Sequence, residues 1–200
     1  LDARIFGEPY NRVINVRGYS AQASAIGANR PAKIWAPQLA HGKREALATI
    51  RAAAGDTVYK ICPILPFPAR NPRRADELIG EYEEQLRTWQ VDARDFIYVS
   101  ERNPLDSYRT LSMLKSRYDQ TVRRVFTPQL ILSPIGSKVV AAGAMMAAIE
   151  HELPVQYVET LRYDFDASET QQVDCGDMVV HVWLQGPIYA GFGTAPPAGA

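Results

Sequence analysis

QLILSPIGSKVVAAGAMMAAIEH, residues 129–151, is the stretch whose reading decides the fold. Gln129 to Ser133 is a strand-like run, uniformly apolar between its end residues, as expected of a strand covered on both faces. Pro134 and Gly136 are turn formers. Lys138 to His151 is made almost wholly of Ala, Met, Val and Ile, the composition of a helix buried on most sides. A buried strand turning directly into a buried helix is half of a βαβ unit.

The flanking sequence repeats this alternation. Towards the carboxyl end, Pro154 to Glu159 is the next strand. Met178 to Leu184 (MVVHVWL) closes the sheet, antiparallel after the polar turn from Asp164 to Gly176. Towards the amino end, Pro104 to Asp119 is a helix with Leu105, Tyr108, Leu111, Leu114 and Tyr118 at helical spacing. Phe96 to Ser100 is a strand. Residues 72–89 form one helix, with Leu78, Ile79, Tyr82, Leu86 and Trp89 on one stripe. Thr57 to Ile61 is a strand that breaks at Pro63, Pro66 and Pro68. His41 to Ala54 is a helix stopped by Gly55. Pro31 to Ala40 is extended, and Arg12 to Val16 is a short strand.

Strands alternating with helices predict an α/β fold. It is Rossmann-like, with a mainly parallel sheet, helices on both faces and one antiparallel strand at the C-terminal end. One domain is expected over residues 1–189, with a flexible Gly/Ala/Pro tail over 190–200. The chain opens on Leu1 rather than Met, so a piece of a longer protein is expected.

Composition narrows the function classes. Twenty-two basic residues balance twenty-two acidic ones, which argues against an extended nucleic-acid or membrane surface but not against one basic pocket. No apolar run approaches the roughly 20 residues that span a bilayer. Two cysteines, Cys62 and Cys175, need no disulfide, and a reducing, cytoplasmic setting is expected. His41, His151 and His181 have no metal-ligand spacing, so no metal and no cofactor is expected.

In parallel sheets ligands bind beyond the carboxyl ends of the strands. That rule selects Arg17 and Tyr19 after the first strand, Ser100, Glu101 and Asn103 after the third, and Ser133, Gly136, Ser137 and Lys138 after the fourth. In the last loop a glycine and two serines precede a helix start, where free N–H groups attract anions and Lys138 adds charge. The alternative is a plain capped helix with Ser137 as N-cap and Lys138 in solvent. Asn103 before Pro104 likewise suits an N-cap. The Pro63–Pro68 segment, with Ile64, Leu65 and Phe67, reads as a stiff loop that could wall a ligand or a partner. Neither a Walker phosphate loop nor a G-x-G-x-x-G dinucleotide motif is present.

Ile131 to Lys138, the helix through Ile149, and Val155 to Tyr163 follow one outline: strand, short loop with Ser and Lys, apolar helix, strand ending near a Tyr. This outline resembles the CARF-type domains, Rossmann-like ligand sensors of prokaryotic defence proteins, over about residues 96–163. The resemblance implies that Ser133, Gly136, Ser137 and Lys138 touch a nucleotide phosphate, that the ligand is a cyclic oligonucleotide, and that the domain is a homodimeric sensor. The family loop is richer in Gly and Thr, whereas this one carries Pro134 and Ile135. Two further readings stand beside the sensor. One is a hydrolase or transferase using the same cleft on a phosphorylated or acyl substrate. The other is a protein-interaction domain.

Overall fold

A computed structural model describes residues 9–16, 31–54, 58–122 and 126–160. The elements run β1 (Pro9–Asn15), β2 (Pro31–Pro37), α1 (Arg44–Ala54), β3 (Val58–Ile61), β4 (Ile64–Pro66), α2 (Arg74–Glu81), α3 (Glu83–Thr88), β5 (Ile97–Val99), α4 (Pro104–Val122), β6 (Thr127–Ser133), α5 (Lys138–His151) and β7 (Gln156–Thr160).

β2 lies at the centre of the sheet. It pairs in parallel with β6 over its whole length, Pro31 beside Thr127 to Pro37 beside Ser133, and with β3 on its other side. β4 continues the path of β3. Gln38 bridges in parallel to Ile64, the Leu39 N–H donates to the Ile64 carbonyl, and β4 pairs in parallel with β5. On the far side a parallel bridge joins Leu132 to Val155, just before β7. With β3 and β4 taken as one path, the parallel strands stand in the spatial order β5, β3/β4, β2, β6, β7, which is 3-2-1-4-5 when they are counted along the chain from β2, the Rossmann arrangement. The chain therefore has a Rossmann-like α/β fold with a mainly parallel sheet.

Side-chain alternation along the strands builds two layers. Ile34, Ala36, Cys62, Ile64, Val99, Leu130 and Leu132 face α4 and α5. Trp35, Ile61, Leu65, Ile131 and Val158 face α1, α2 and α3. Leu130, Ile131 and Leu132 are all buried, so the uniformly apolar run is a strand covered from both sides. Each such fully buried side chain contributes roughly 1.5–3 kcal/mol. On α5, Gly143 brings the backbones together: a Cβ there would lie 2.0 Å from the Pro104 carbonyl oxygen. Ser107 seals the same contact by donating to the Val140 carbonyl at 3.0 Å.

Three expectations change. The segment from Pro63 to Pro68 is not simply a loop, because Ile64–Pro66 is a buried strand. It tolerates prolines because Pro63 and Pro66 serve as acceptor or packing residues: the Pro63 carbonyl takes the Ile97 N–H at 2.8 Å. Residues 72–89 form two helices with a bend at Tyr82, which is fully buried and donates its hydroxyl to the Ala40 carbonyl at 2.7 Å. The antiparallel strand that the structure describes is β1, at the sheet edge against β7; Met178–Leu184 lies outside the described residues, as does the 190–200 tail.

A candidate ligand-binding crevice at the strand-order reversal

Neighbouring strands β2 and β6 send their chains to opposite faces. β2 continues into α1 and β6 into α5, and these helices pack on different layers. Loops that part this way leave a crevice at the carboxyl rim, the position where open α/β sheets bind ligands. β7 deepens it. Val155 stands level with Leu132, near the end of β6, so Gln156–Thr160 runs on past that end and carries β1 with it as an antiparallel ribbon.

The result is a cleft of about 500 Å³. Gly42, Lys43, Glu45 and Ala46, at the start of α1, form one side. Pro134 and Ile135, with Ala141 and Met145 of α5, form another. Val155, Tyr157, Val158 and Val16 close it from the ribbon. Most of the lining residues are apolar types, with Lys43 and Glu45 the charged ones among them.

Ser133 ties the floor together. It is fully buried. Its hydroxyl accepts from the Trp35 indole N–H at 2.9 Å, and its carbonyl accepts the N–H groups of Gln38 and Ile135, both at 3.0 Å. Its hydroxyl is thus committed to the core rather than presented to a ligand. Gly136 approaches Gln38 so closely that a Cβ on it would lie 2.7 Å from the Gln38 carboxamide. Ser137 is the N-cap residue of α5, yet its side chain makes no capping bond. The first bond into the helix start runs from the Ala141 N–H to the Ser137 carbonyl at 2.8 Å, which leaves the amides of Lys138, Val139 and Val140 without intrahelical acceptors. Lys138 itself is exposed.

The opposite turn is held by α2. Gly42 has a φ of 67° and donates its N–H to Glu81 Oε1 at 2.9 Å. His41 Nδ1 meets Glu81 Oε2 at 2.5 Å, and Arg44 donates to the Glu81 carbonyl at 3.3 Å. Burial pushes the phenol of the adjacent Tyr82 well above its ordinary range, so it stays a neutral donor to Ala40. The sequence hides this turn because Lys43, Arg44 and Glu45 are good helix formers and read as one helix with His41 and Gly42, whereas the helix starts at Arg44. The signal that could have found it was Gly42 directly before Lys43.

Ser100, Glu101 and Asn103 occupy the same rim at the end of β5, three strand positions and roughly 14 Å of sheet width from β6 at ~4.8 Å per strand. Their polar groups are spent locally. Asn103 Oδ1 accepts the Leu105 N–H at 3.1 Å and caps α4. Glu101 accepts the Arg70 N–H at 2.8 Å. The Ser100 N–H donates to Asp106 at 2.7 Å, and its hydroxyl accepts the Arg102 N–H at 3.4 Å. Arg17 and Tyr19 lie outside the described residues. The first strand is antiparallel rather than parallel, and Val16, just past its end and next to Arg17, lines the cleft.

Among the described residues no three His, Cys, Asp or Glu side chains group as a metal site, and no helix is long and apolar enough to cross a membrane. No known protein family matches the chain, and no curated protein is significantly similar to it. What defines its class is the fold and the crevice: a Rossmann-like α/β protein with an open rim at the reversal of strand order.

Proposed function

We propose that this crevice binds an anionic small molecule, and that the ligand is a nucleotide. One observation carries the proposal. At the reversal point a cleft of about 500 Å³, lined largely by apolar residue types, adjoins a helix start whose first amides have no intrahelical acceptor and whose N-cap serine makes no capping bond. Free helix-start amides favour an anionic group, and Lys43 and Lys138 add positive charge on either side. The apolar walls suit a flat base. Ser133, with its hydroxyl turned to Trp35, is poorly placed as a nucleophile, so recognition is favoured over hydrolysis or group transfer.

Thermal-shift measurements on the full chain with AMP, ATP and a cyclic oligoadenylate test this. A saturating ligand raises stability by about 2.7 kcal/mol at a hundredfold excess over Kd, and Lys138→Ala should weaken that response in a salt-dependent way. The cyclic ligand addresses the CARF-type sensor specifically. No shift with any of the three, or a shift that Lys138→Ala leaves intact, would count against the proposal.

A further inference from the structure

We propose that Gln38 is the specificity-determining residue of this crevice, and that its carboxamide takes a hydroxyl of a ribosyl phosphate whose phosphate sits at the start of α5. This rests on the anion-binding reading above and names the ligand class more narrowly.

Gln38 is 3% exposed, and its Oε1 has no hydrogen-bond partner. Buried polar atoms are nearly always paired, and the exceptions need an explanation. A Met of similar length would fill the same space without an orphaned oxygen. The backbone that carries this side chain is held firmly. The Gln38 N–H is tied to the Ser133 carbonyl, and its backbone bridges to Ile64. The carboxamide packs where a Gly136 side chain would begin, 2.7 Å from that position. Glycine there lets the amide lie against the loop that leads into α5, the loop whose Pro134 and Ile135 line the cleft.

Two chemical demands then meet within one loop. The helix start calls for an anion. The unpaired amide oxygen calls for an O–H or N–H donor. A phosphate bound at the helix start leaves the amide bare, whereas a phosphorylated pentose satisfies both. The apolar flank of Ala141 and Met145 accommodates a base, which makes a nucleoside monophosphate the fitting ligand. An ordinary glutamine amide can be turned end for end. The pairing logic survives that, because one buried end of the amide still lacks a partner.

The test compares the full chain with Gln38→Met and Gly136→Ala. Thermal unfolding is recorded without ligand, and calorimetric titration is run with inorganic phosphate, ribose 5-phosphate and AMP. Without ligand, Gln38→Met should be at least as stable as the parent, because an orphaned atom is gone. Its affinity for ribose 5-phosphate and AMP should fall about tenfold or more, as when a buried hydrogen bond is left unmatched, while phosphate affinity holds. Gly136→Ala should reproduce that pattern by displacing the amide. A lowered melting temperature in Gln38→Met with all affinities kept would make the amide a structural group and overturn this inference alone. A parent chain that binds none of the three ligands would overturn the anion-binding reading together with it.

Discussion

Two loops at the same rim of the sheet have opposite characters. After β5, several of the loop's polar groups already have a protein partner: Asn103 caps α4, Asp106 takes the Ser100 N–H, and Glu101 takes the Arg70 N–H. After β6, the N-cap serine is idle, the Gln38 amide oxygen is orphaned and Lys138 points to solvent. Both loops join a strand to a helix, and both look alike as sequence. The difference teaches that the useful mark of a binding loop is the unspent hydrogen-bonding capacity it carries, not the polarity of its residues. A saturated loop holds a helix in place, and an unsaturated one has room for something else.

The comparison can be broken at several points. The largest effect should come from Gly143→Ala, whose Cβ would collide with the Pro104 carbonyl at 2.0 Å and force apart the helices that carry both loops. Overpacking of this kind costs about 1–3 kcal/mol or more, seen as a lower midpoint in urea denaturation. An unchanged midpoint would mean that α4 and α5 pack less tightly than described. Ser133→Ala comes next. It strands the Trp35 indole N–H in the core and should cost roughly 1–3 kcal/mol, with the Trp fluorescence reporting the altered environment.

Asn103→Ala sharpens the contrast. Losing a helix cap should cost about 1 kcal/mol while leaving nucleotide titrations unchanged. A fall in affinity without a fall in stability would move the site to the β5 rim. Lys138→Ala should do the reverse, shifting stability by no more than about 0.5 kcal/mol while weakening anion binding.

The smallest effect is one of pH. Burial pushes the Cys62 thiol above its ordinary value of 9.0. The folded state therefore resists losing this proton more than the unfolded chain does. Its stabilising contribution is complete below the ordinary thiol value and drains away as pH rises past it. Unfolding midpoints should decline through that range, and less so in Cys62→Ala. A decline of equal size in the variant would assign it to other groups.

Much of this architecture can be read in the sequence. Leu130, Ile131 and Leu132 announce a doubly covered strand because no polar residue interrupts them. The helix bounds Lys138–His151 follow from Ser137 and Gly136 before the apolar run. The order of the longer strands and helices between Pro31 and Glu159 is likewise legible, because each is long or apolar enough to show its period, whereas the three-residue β4 between prolines is not. Direction is not legible. Nothing in Arg12 to Val16 reveals that β1 runs against its neighbour. Gln38 was invisible for another reason. A single polar residue between Pro37 and Leu39 gains its meaning only from Gly136, which is far away in the chain and touches it only in the fold. The bend at Tyr82 arises in the same way, since its hydroxyl reaches a carbonyl on α1's approach.

The β1–β7 ribbon has a consequence for how the chain assembles. Among the described residues, the strand partners of residues 9–15 are residues 156–160, so this pairing waits while the βαβ units between them form from nearer contacts. Closing such a distant loop is slow, and it comes after local structure has formed. The ribbon should therefore be the last seam to zip and the first to open in native-state hydrogen exchange. Because it also walls the cleft, a molecule held there would stitch the two ends of the folding sequence together.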